Sequence, residues 1–157
     1  MKILVVYQHF YPEQFMANDI CFDLVRQGHQ VAVLTGLPNY PSGVIPPEYR
    51  WFRKRREEVN GVQIIRSWIL ARGKNFFTLS MNYLSFAISA SIKVLFLKKD
   101  FDVILDYQTS PVTMALPGIL IAKLTGKPLI IYCQDLWPES VAAAGFSRDS
   151  VLYRLLL

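Results

Sequence analysis

The sequence predicts an α/β protein built on a doubly wound parallel sheet, and three observations predict it. Short, almost wholly apolar runs of strand length alternate with segments whose apolar residues recur at helical spacing. The runs are apolar at successive positions, as strands are when helices cover both faces of a parallel sheet. The last run, LIIYCQDLWPES at 129–140, stops on Gln134 and Asp135 and turns through Trp137 and Pro138 into a helix start. That places a carboxylate at the strand end where open α/β sheets carry their chemistry.

The elements follow in order. Lys2 to Tyr7 is the first strand. The next segment carries Ala17, Ile20, Cys21, Leu24 and Val25 at helical spacing and stops at Gly28. Val31 to Thr35 and Val62 to Trp68 are the second and third strands. Asn75 to Leu97 is a long helix, Val103 to Tyr107 a fourth strand, Met114 to Thr125 a helix ended by Gly126, and Leu129 to Cys133 a fifth strand. Asn75 to Ile92 carries no charge and, at 18 residues, meets the lower limit for a membrane span. A span would put the third and fourth strands on opposite sides of a bilayer, where they could not share a sheet. Thr78, Asn82, Ser85 and Ser89 form one polar stripe along this helix, the mark of a crossover packed on a sheet, although shallow insertion into one leaflet stays open.

A chain of 157 residues, 52% of them apolar, fits one domain with a full core. Seventeen Lys and Arg against 12 Asp and Glu give a net charge of +5, which favours an anionic partner. Cys21 and Cys133 lack metal or redox spacing and read as core residues. The opening MKILVVYQHFYPE reads as a strand followed by proline and charge rather than a signal peptide, so a cytoplasmic protein is expected.

In a doubly wound sheet the functional edge comprises the loops leaving the carboxyl ends of the strands. Here those loops hold Gln8, His9, Tyr11 and Glu13, then Gly36, Pro38, Asn39 and Tyr40, then Gln108, Thr109 and Ser110, and finally Gln134, Asp135 and Glu139. Each taken singly also suits a turn or a helix cap; their convergence on one edge carries the argument. The turn after the first strand, QHFYPEQFMAN, contains no glycine, which excludes the dinucleotide fingerprint and the Walker phosphate loop. No acidic pair follows the first strand, as a phosphoacceptor receiver domain would need. Asp100-Phe101-Asp102 looks like a metal-binding DxD, but it precedes its strand and reads as a solvated turn on the opposite edge.

The segment YRWFRKRR at 49–56 mixes Arg50, Arg53, Lys54, Arg55 and Arg56 with Tyr49, Trp51 and Phe52. A solvated loop is one reading. The other is contact with a membrane surface, through Trp51, Phe52, Arg53, Lys54, Arg55 and Arg56, since aromatic rings suit the headgroup level and basic residues suit anionic lipid. Single-stranded nucleic acid ranks below both, because no sheet face offers stacking platforms.

MKILVVYQHFYPE, QGHQVAVLTGLPNYPSG, EEVNGVQIIRSW, NYLSFAISAS and QDLWPES together resemble the amino-terminal domain of family 4 glycosyltransferases. Within that family they are most similar to the bacterial transferases that build O-antigen, capsule and exopolysaccharide units, including the N-acetylfucosamine transferase type. The similarity runs over essentially the whole chain, and LTGLPNYPSG with DLWPES is its specific part. The resemblance implies one half of a GT-B fold, in which two Rossmann-like domains face each other across a cleft. Residues 1–157 would be the acceptor-binding half, and the carboxyl-terminal donor domain would lie outside this chain. It further implies a nucleotide-sugar co-substrate with no metal or other cofactor, and an acceptor sugar carried on undecaprenyl diphosphate. The protein would then sit on the inner face of the cytoplasmic membrane, with an anionic membrane surface as partner and no nucleic acid.

Carried over residue by residue, Asp135 is expected to orient or deprotonate the acceptor hydroxyl. His9, Glu13, Asn39, Tyr40, Thr109, Ser110, Gln134, Trp137 and Glu139 are expected to bind substrate. The sequence departs from the family where many members have a glycine pair, here Gln14 and Phe15, and where many have His before the Asp, here Gln134. His29 reads as turn structure. SVLYRLLL at 150–157 reads as a short capped helix ending on bare leucines, so the chain is expected to be a fragment or one subunit of a split enzyme, inactive alone. The alternative is a catalytically silent α/β module for a phosphate or lipid headgroup.

Overall fold

The computed structural model describes residues 1–51, 53–109 and 111–136. Its strands are β1 (Lys2–Val6), β2 (Gln30–Thr35), β3 (Arg56–Val59), β4 (Val62–Arg66), β5 (Val103–Gln108) and β6 (Leu129–Cys133). The helices are α1 (Met16–Arg26), α2 (Phe76–Leu95) and α3 (Leu116–Thr125), with 3-10 turns at Pro47–Tyr49 and Val112–Ala115. The sheet order is β3-β4-β2-β1-β5-β6. All pairs are parallel except the β3–β4 hairpin. The fold is therefore α/β and Rossmann-like, as the alternation of runs predicts.

Alternation along the strands sets the two layers. Ile3, Val5, Val31, Val33, Val62 and Ile64 point to the face covered by α1 through Cys21, while Leu4, Val6, Ala32, Leu34 and Ile104 point to the face covered by α2 and α3 through Phe86, Ala90, Val94 and Ile121. Helix ends obey local chemistry. The N–H groups of Gly28 and His29 bond the carbonyls of Val25 and Leu24, a Schellman motif closed by the positive φ of Gly28. Asn75 caps α2 by accepting from the Thr78 N–H at 2.8 Å, and Gly126 ends α3 in the left-handed region.

Four features differ from the sequence reading. Residues 56–59, of which only Arg56 falls in the basic segment read from the sequence, form an edge strand, β3, turned back by Asn60 and Gly61, both at positive φ. Arg56 consequently belongs to a strand. β4 ends at Arg66 rather than Trp68. Cys133 is exposed on β6, the edge strand of the sheet among the described residues, while Cys21 is buried and its thiol is pushed up to about 12. Helix α2 is only half a buried crossover. Asn82 and Ser85 face inward, whereas Phe77, Met81, Leu84, Ile88, Ile92 and Leu95 share an exposed face. No helix among the described residues is long and apolar enough to cross a membrane.

Chain direction reverses beside β1. The path runs outward through β2 and β4, then returns over α2 to β5 on the other side of β1. The carboxyl ends of β1 and β5 thus form the switch point where doubly wound sheets open a crevice.

Candidate functional site

β1 leaves the sheet into Tyr7, Gln8 and His9, and β5 ends at Tyr107 and Gln108, so these residues flank the switch point. Glu13 organises the first side. Its Oε1 accepts from the backbone N–H groups of Asn39 at 2.5 Å and Tyr40 at 2.6 Å, and its Oε2 lies 3.1 Å from His9 Nδ1. Asn18 donates to the Glu13 carbonyl at 2.7 Å. The β1 and β2 exit loops are therefore joined through one buried carboxylate. Glycine in the first turn is unnecessary here because the close approach occurs at Gly36, where an added Cβ would stand 3.0 Å from the Gln8 carbonyl.

A second layer fixes the loop 39–43. Asn39 Nδ2 donates to Leu37 O at 3.0 Å, while Asn39 Oδ1 accepts from the Arg72 N–H at 2.8 Å and from Asn82 Nδ2 at 3.3 Å. Asn82 Oδ1 in turn accepts from Gln8 Nε2 at 2.7 Å. The polar stripe of α2 thus zips the helix to the β1 exit and the segment after β4. Ser85 accepts from Leu70 N–H, and Ser89 donates to Trp68 O.

Aromatic rings connect the two sides of the switch point. Tyr132 meets Tyr107 at 5.4 Å, Tyr107 meets Tyr7 at 4.8 Å, and Tyr7 meets His9 at 5.9 Å. His9 stacks on Phe15 at 5.3 Å, and both touch Tyr40. Burial drives the Tyr7 phenol above its ordinary range, partly offset by the Thr109 hydroxyl. The ladder arises from strand register, which sets Tyr107 opposite Tyr132 and brings Tyr7, the residue after β1, beside Tyr107.

On the far side, the Gln134 N–H bonds Gln108 O at 2.8 Å and extends the parallel ladder past β6. Cys133 Sγ donates to Gln108 Oε1 at 2.8 Å, and both Cys133 Sγ and Gln108 Nε2 approach the Asp135 carbonyl. Asp135 is half-buried at this edge and Gln134 exposed. His9, Glu13, Asn39 and Tyr40 come together in direct contact, and Thr109 lies beside Tyr7. Gln134 and Asp135 stand two strands from the His9 cluster, across β5. Glu13 and Asn39 have their polar atoms engaged inside the protein, so they position the loop, whereas Tyr40 is 44% exposed. Ser110, Trp137, Glu139, Phe52 and the segment 150–157 lie outside the described residues.

Two buried charged residues escaped the sequence reading. Arg66 is fully buried at the end of β4. It donates to Glu57, to Gly36 O at 3.3 Å and to Tyr11 O at 2.5 Å, and its guanidinium lies 4.8 Å from the Tyr49 ring centroid. Asp106 is buried on β5, neither carboxylate oxygen has a hydrogen-bond partner among the described residues, and burial pushes its carboxyl up to about 8. An added Cβ at Gly118 of α3 would stand 2.3 Å from Asp106 Oδ2, so glycine makes room for it.

The basic segment is largely exposed at Trp51, Arg53, Lys54 and Arg56, and Arg55 is half-buried. Trp51 is 87% exposed with φ 52°. A cleft of about 550 Å³ beside it is lined by Leu37, Val44, Ile45, Arg50, Trp51, Arg55 and Trp68. Lys93 of α2 is held low by burial and by the like charges of Arg55 and Arg56. On the opposite sheet edge Asp100 pairs with Lys2 Nζ at 2.8 Å and Asp102 accepts from the Lys2 N–H at 2.7 Å, so the DxD-like turn closes the amino-terminal edge. Among the described residues no three His, Cys, Asp or Glu side chains gather as a metal site.

Fold and crevice together define a Rossmann-like α/β domain. Two crystal structures of the C-terminal domain of a Pyrococcus furiosus hydrogenase are similar to it, each with a TM-score of 0.52 at 18% and 17% identity. Each likeness covers 83% of this chain, with 90% and 89% of the respective hydrogenase domain, and at that identity the likeness is one of fold. No protein-family model matches the chain, and no curated protein matches it significantly.

Proposed function

We propose that this chain is the acceptor-binding half of a glycosyltransferase that moves a sugar from a nucleotide-sugar donor to a lipid-linked glycan in bacterial surface polysaccharide synthesis. The observation that carries the reading is the ring ladder across the switch point, whose ends Tyr132 and Tyr40 are exposed, with the backbone of Asp135 held by Gln108 beside its far end. Sugars offer apolar C–H faces and a rim of hydroxyls. The exposed rings of Tyr40 and Tyr132, with hydroxyl and amide groups nearby, suit both, while the buried Tyr7, His9 and Tyr107 rings hold the two ends in place. In this reading Tyr40 and Thr109 contact the acceptor sugar, and Asp135 orients or deprotonates its attacking hydroxyl. The donor is held by a second domain outside this chain, since transfer requires both reactants in one near-attack geometry.

Membrane contact belongs to the same reading. The basic and aromatic groups of the segment 49–56 and the exposed apolar face of α2 each suit an anionic bilayer surface. The test is calorimetric titration of the chain with a short-chain prenyl diphosphate-linked sugar and with a panel of UDP- and GDP-sugars. Binding of the acceptor analogue with no measurable affinity for nucleotide sugars supports the assignment. Micromolar binding of a nucleotide sugar to this chain alone overturns the division of labour.

A further inference from the structure

We propose that Arg72, framed by Tyr40 and Tyr83, is an anion subsite for a phosphoryl group. The guanidinium lies 5.4 Å from the Tyr40 ring centroid and 5.9 Å from that of Tyr83, and Arg72 Nη1 donates to the Tyr83 hydroxyl at 3.0 Å. Among the described residues no carboxylate reaches ion-pair distance of Arg72. Glu13, the carboxylate of the neighbouring cluster, is occupied by Asn39, Tyr40 and His9. Arg72 therefore presents planar donors without an acidic partner on a half-buried side chain, the arrangement that suits bidentate phosphate binding.

The position is built from two sides. Asn39 Oδ1 holds the Arg72 N–H, and Gly43, at φ 73°, lets the loop approach so closely that an added Cβ would stand 2.3 Å from the Arg72 carbonyl. Tyr83 comes from α2 and Tyr40 from the loop after β2, so two elements converge on one guanidinium. Two ring faces limit its rotamers before any ligand arrives, which lowers the ordering cost of binding. The subsite rests on the proposed function in one respect, that the phosphoryl group belongs to the diphosphate carrying the acceptor sugar.

Titration of the full chain with inorganic pyrophosphate tests the subsite itself, with folding of each variant checked by circular dichroism. Arg72→Ala should weaken binding by ~10-fold or more, Arg72→Lys should lose less, and Tyr83→Phe should weaken it by ~3-fold by releasing the guanidinium. Arg26→Ala, on the exposed end of α1, should leave it unchanged. Absence of pyrophosphate binding at millimolar concentration, or equal binding by wild type and Arg72→Ala, overturns the proposal. If a prenyl diphosphate-linked sugar binds wild type and Arg72→Ala alike, the acceptor reading stands and the subsite fails. If pyrophosphate binding depends on Arg72 but no linked sugar binds, the subsite stands and the acceptor reading fails. Vesicles of phosphatidylcholine with and without phosphatidic acid separate the sources. Capture lost in Arg72→Ala assigns the phosphoryl group to a membrane headgroup and overturns the diphosphate assignment, and unchanged capture supports it.

Discussion

Glu13 Oε1 accepts the backbone N–H of Tyr40 at 2.6 Å, so one buried side chain from the β1 exit sets the path of the β2 exit. The same oxygen accepts from Asn39, whose side chain then braces Arg72. Position along this edge is thus inherited from Glu13 rather than from any glycine-rich turn.

Glu13→Ala should lower stability by about 2–4 kcal/mol, because one buried and one partly buried N–H group lose their acceptor and His9 loses its carboxylate partner. Glu13→Gln keeps an acceptor for both and should cost less than about 1 kcal/mol. Urea denaturation monitored by tryptophan fluorescence measures the difference. Equal midpoints for wild type and the alanine variant would remove Glu13 from the organising role.

Asp106 makes stability depend on pH in the direction opposite to most carboxylates. Its carboxyl is raised from 3.8 to about 8 in the folded chain. Between those values the folded state holds a proton that the unfolded chain has released, so the contribution is complete below pH ~4 and is lost as pH rises toward ~8. The contribution should fall by up to about 1.4 kcal/mol per pH unit in that window. Asp106→Asn should flatten it. Thermal melts from pH 5 to pH 8 that are equally steep for both proteins would show that Asp106 is not the group responsible.

Gly118→Ala tests the packing around the same carboxylate. The added methyl would meet Asp106 Oδ2 at 2.3 Å, so a loss of about 1–3 kcal/mol is expected in the wild-type background. In Asp106→Ala the obstacle is gone and the loss should shrink by more than about 0.5 kcal/mol in a double-mutant cycle. Additive effects would mean that α3 moves rather than clashes.

How much was legible follows from what each element buries. β1, β2, β4, β5 and β6 announce themselves because they are apolar runs, and Gly28 and Gly126 mark helix ends because their φ values are positive. β3 is legible only through Asn60-Gly61, since its partner is β4 alone and three of its four side chains are charged. Arg66 and Asp106 were illegible for the same reason: composition treats a charged residue as surface, while burial depends on partners or protonation that only tertiary structure supplies. The carboxyl-edge loops were legible as an edge, but not which atoms stay accessible. Asn39 reads as a ligand contact in sequence and in the fold holds the backbone of Arg72.

Asp135→Asn addresses the proposed chemistry. In the two-domain enzyme it should lower kcat by ~10² or more if the carboxylate takes the acceptor proton, with the melting temperature unchanged. Unchanged kcat would sink the base role, and a lowered melting temperature with proportionate loss of activity would leave Asp135 a structural residue.

The membrane reading separates into two terms that different variants remove. Arg53 and Lys54 are exposed, and each basic residue near anionic lipid contributes roughly 1 kcal/mol, so Arg53→Ala with Lys54→Ala should weaken capture by phosphatidylglycerol vesicles roughly thirtyfold at low salt. That term should fade as salt rises, because exposed charges are screened over ~10 Å at 0.1 M. Ile88 and Ile92 are each 54% exposed on the apolar face of α2, and Ile88→Ser with Ile92→Ser should weaken capture at high salt as well, since burial of apolar area is not screened. Vesicle sedimentation of both double variants across a salt series distinguishes the terms. Wild-type capture that is equal on neutral and anionic vesicles and indifferent to salt would assign the contact to α2 alone, and no capture under any condition would make a soluble acceptor the better reading of the site.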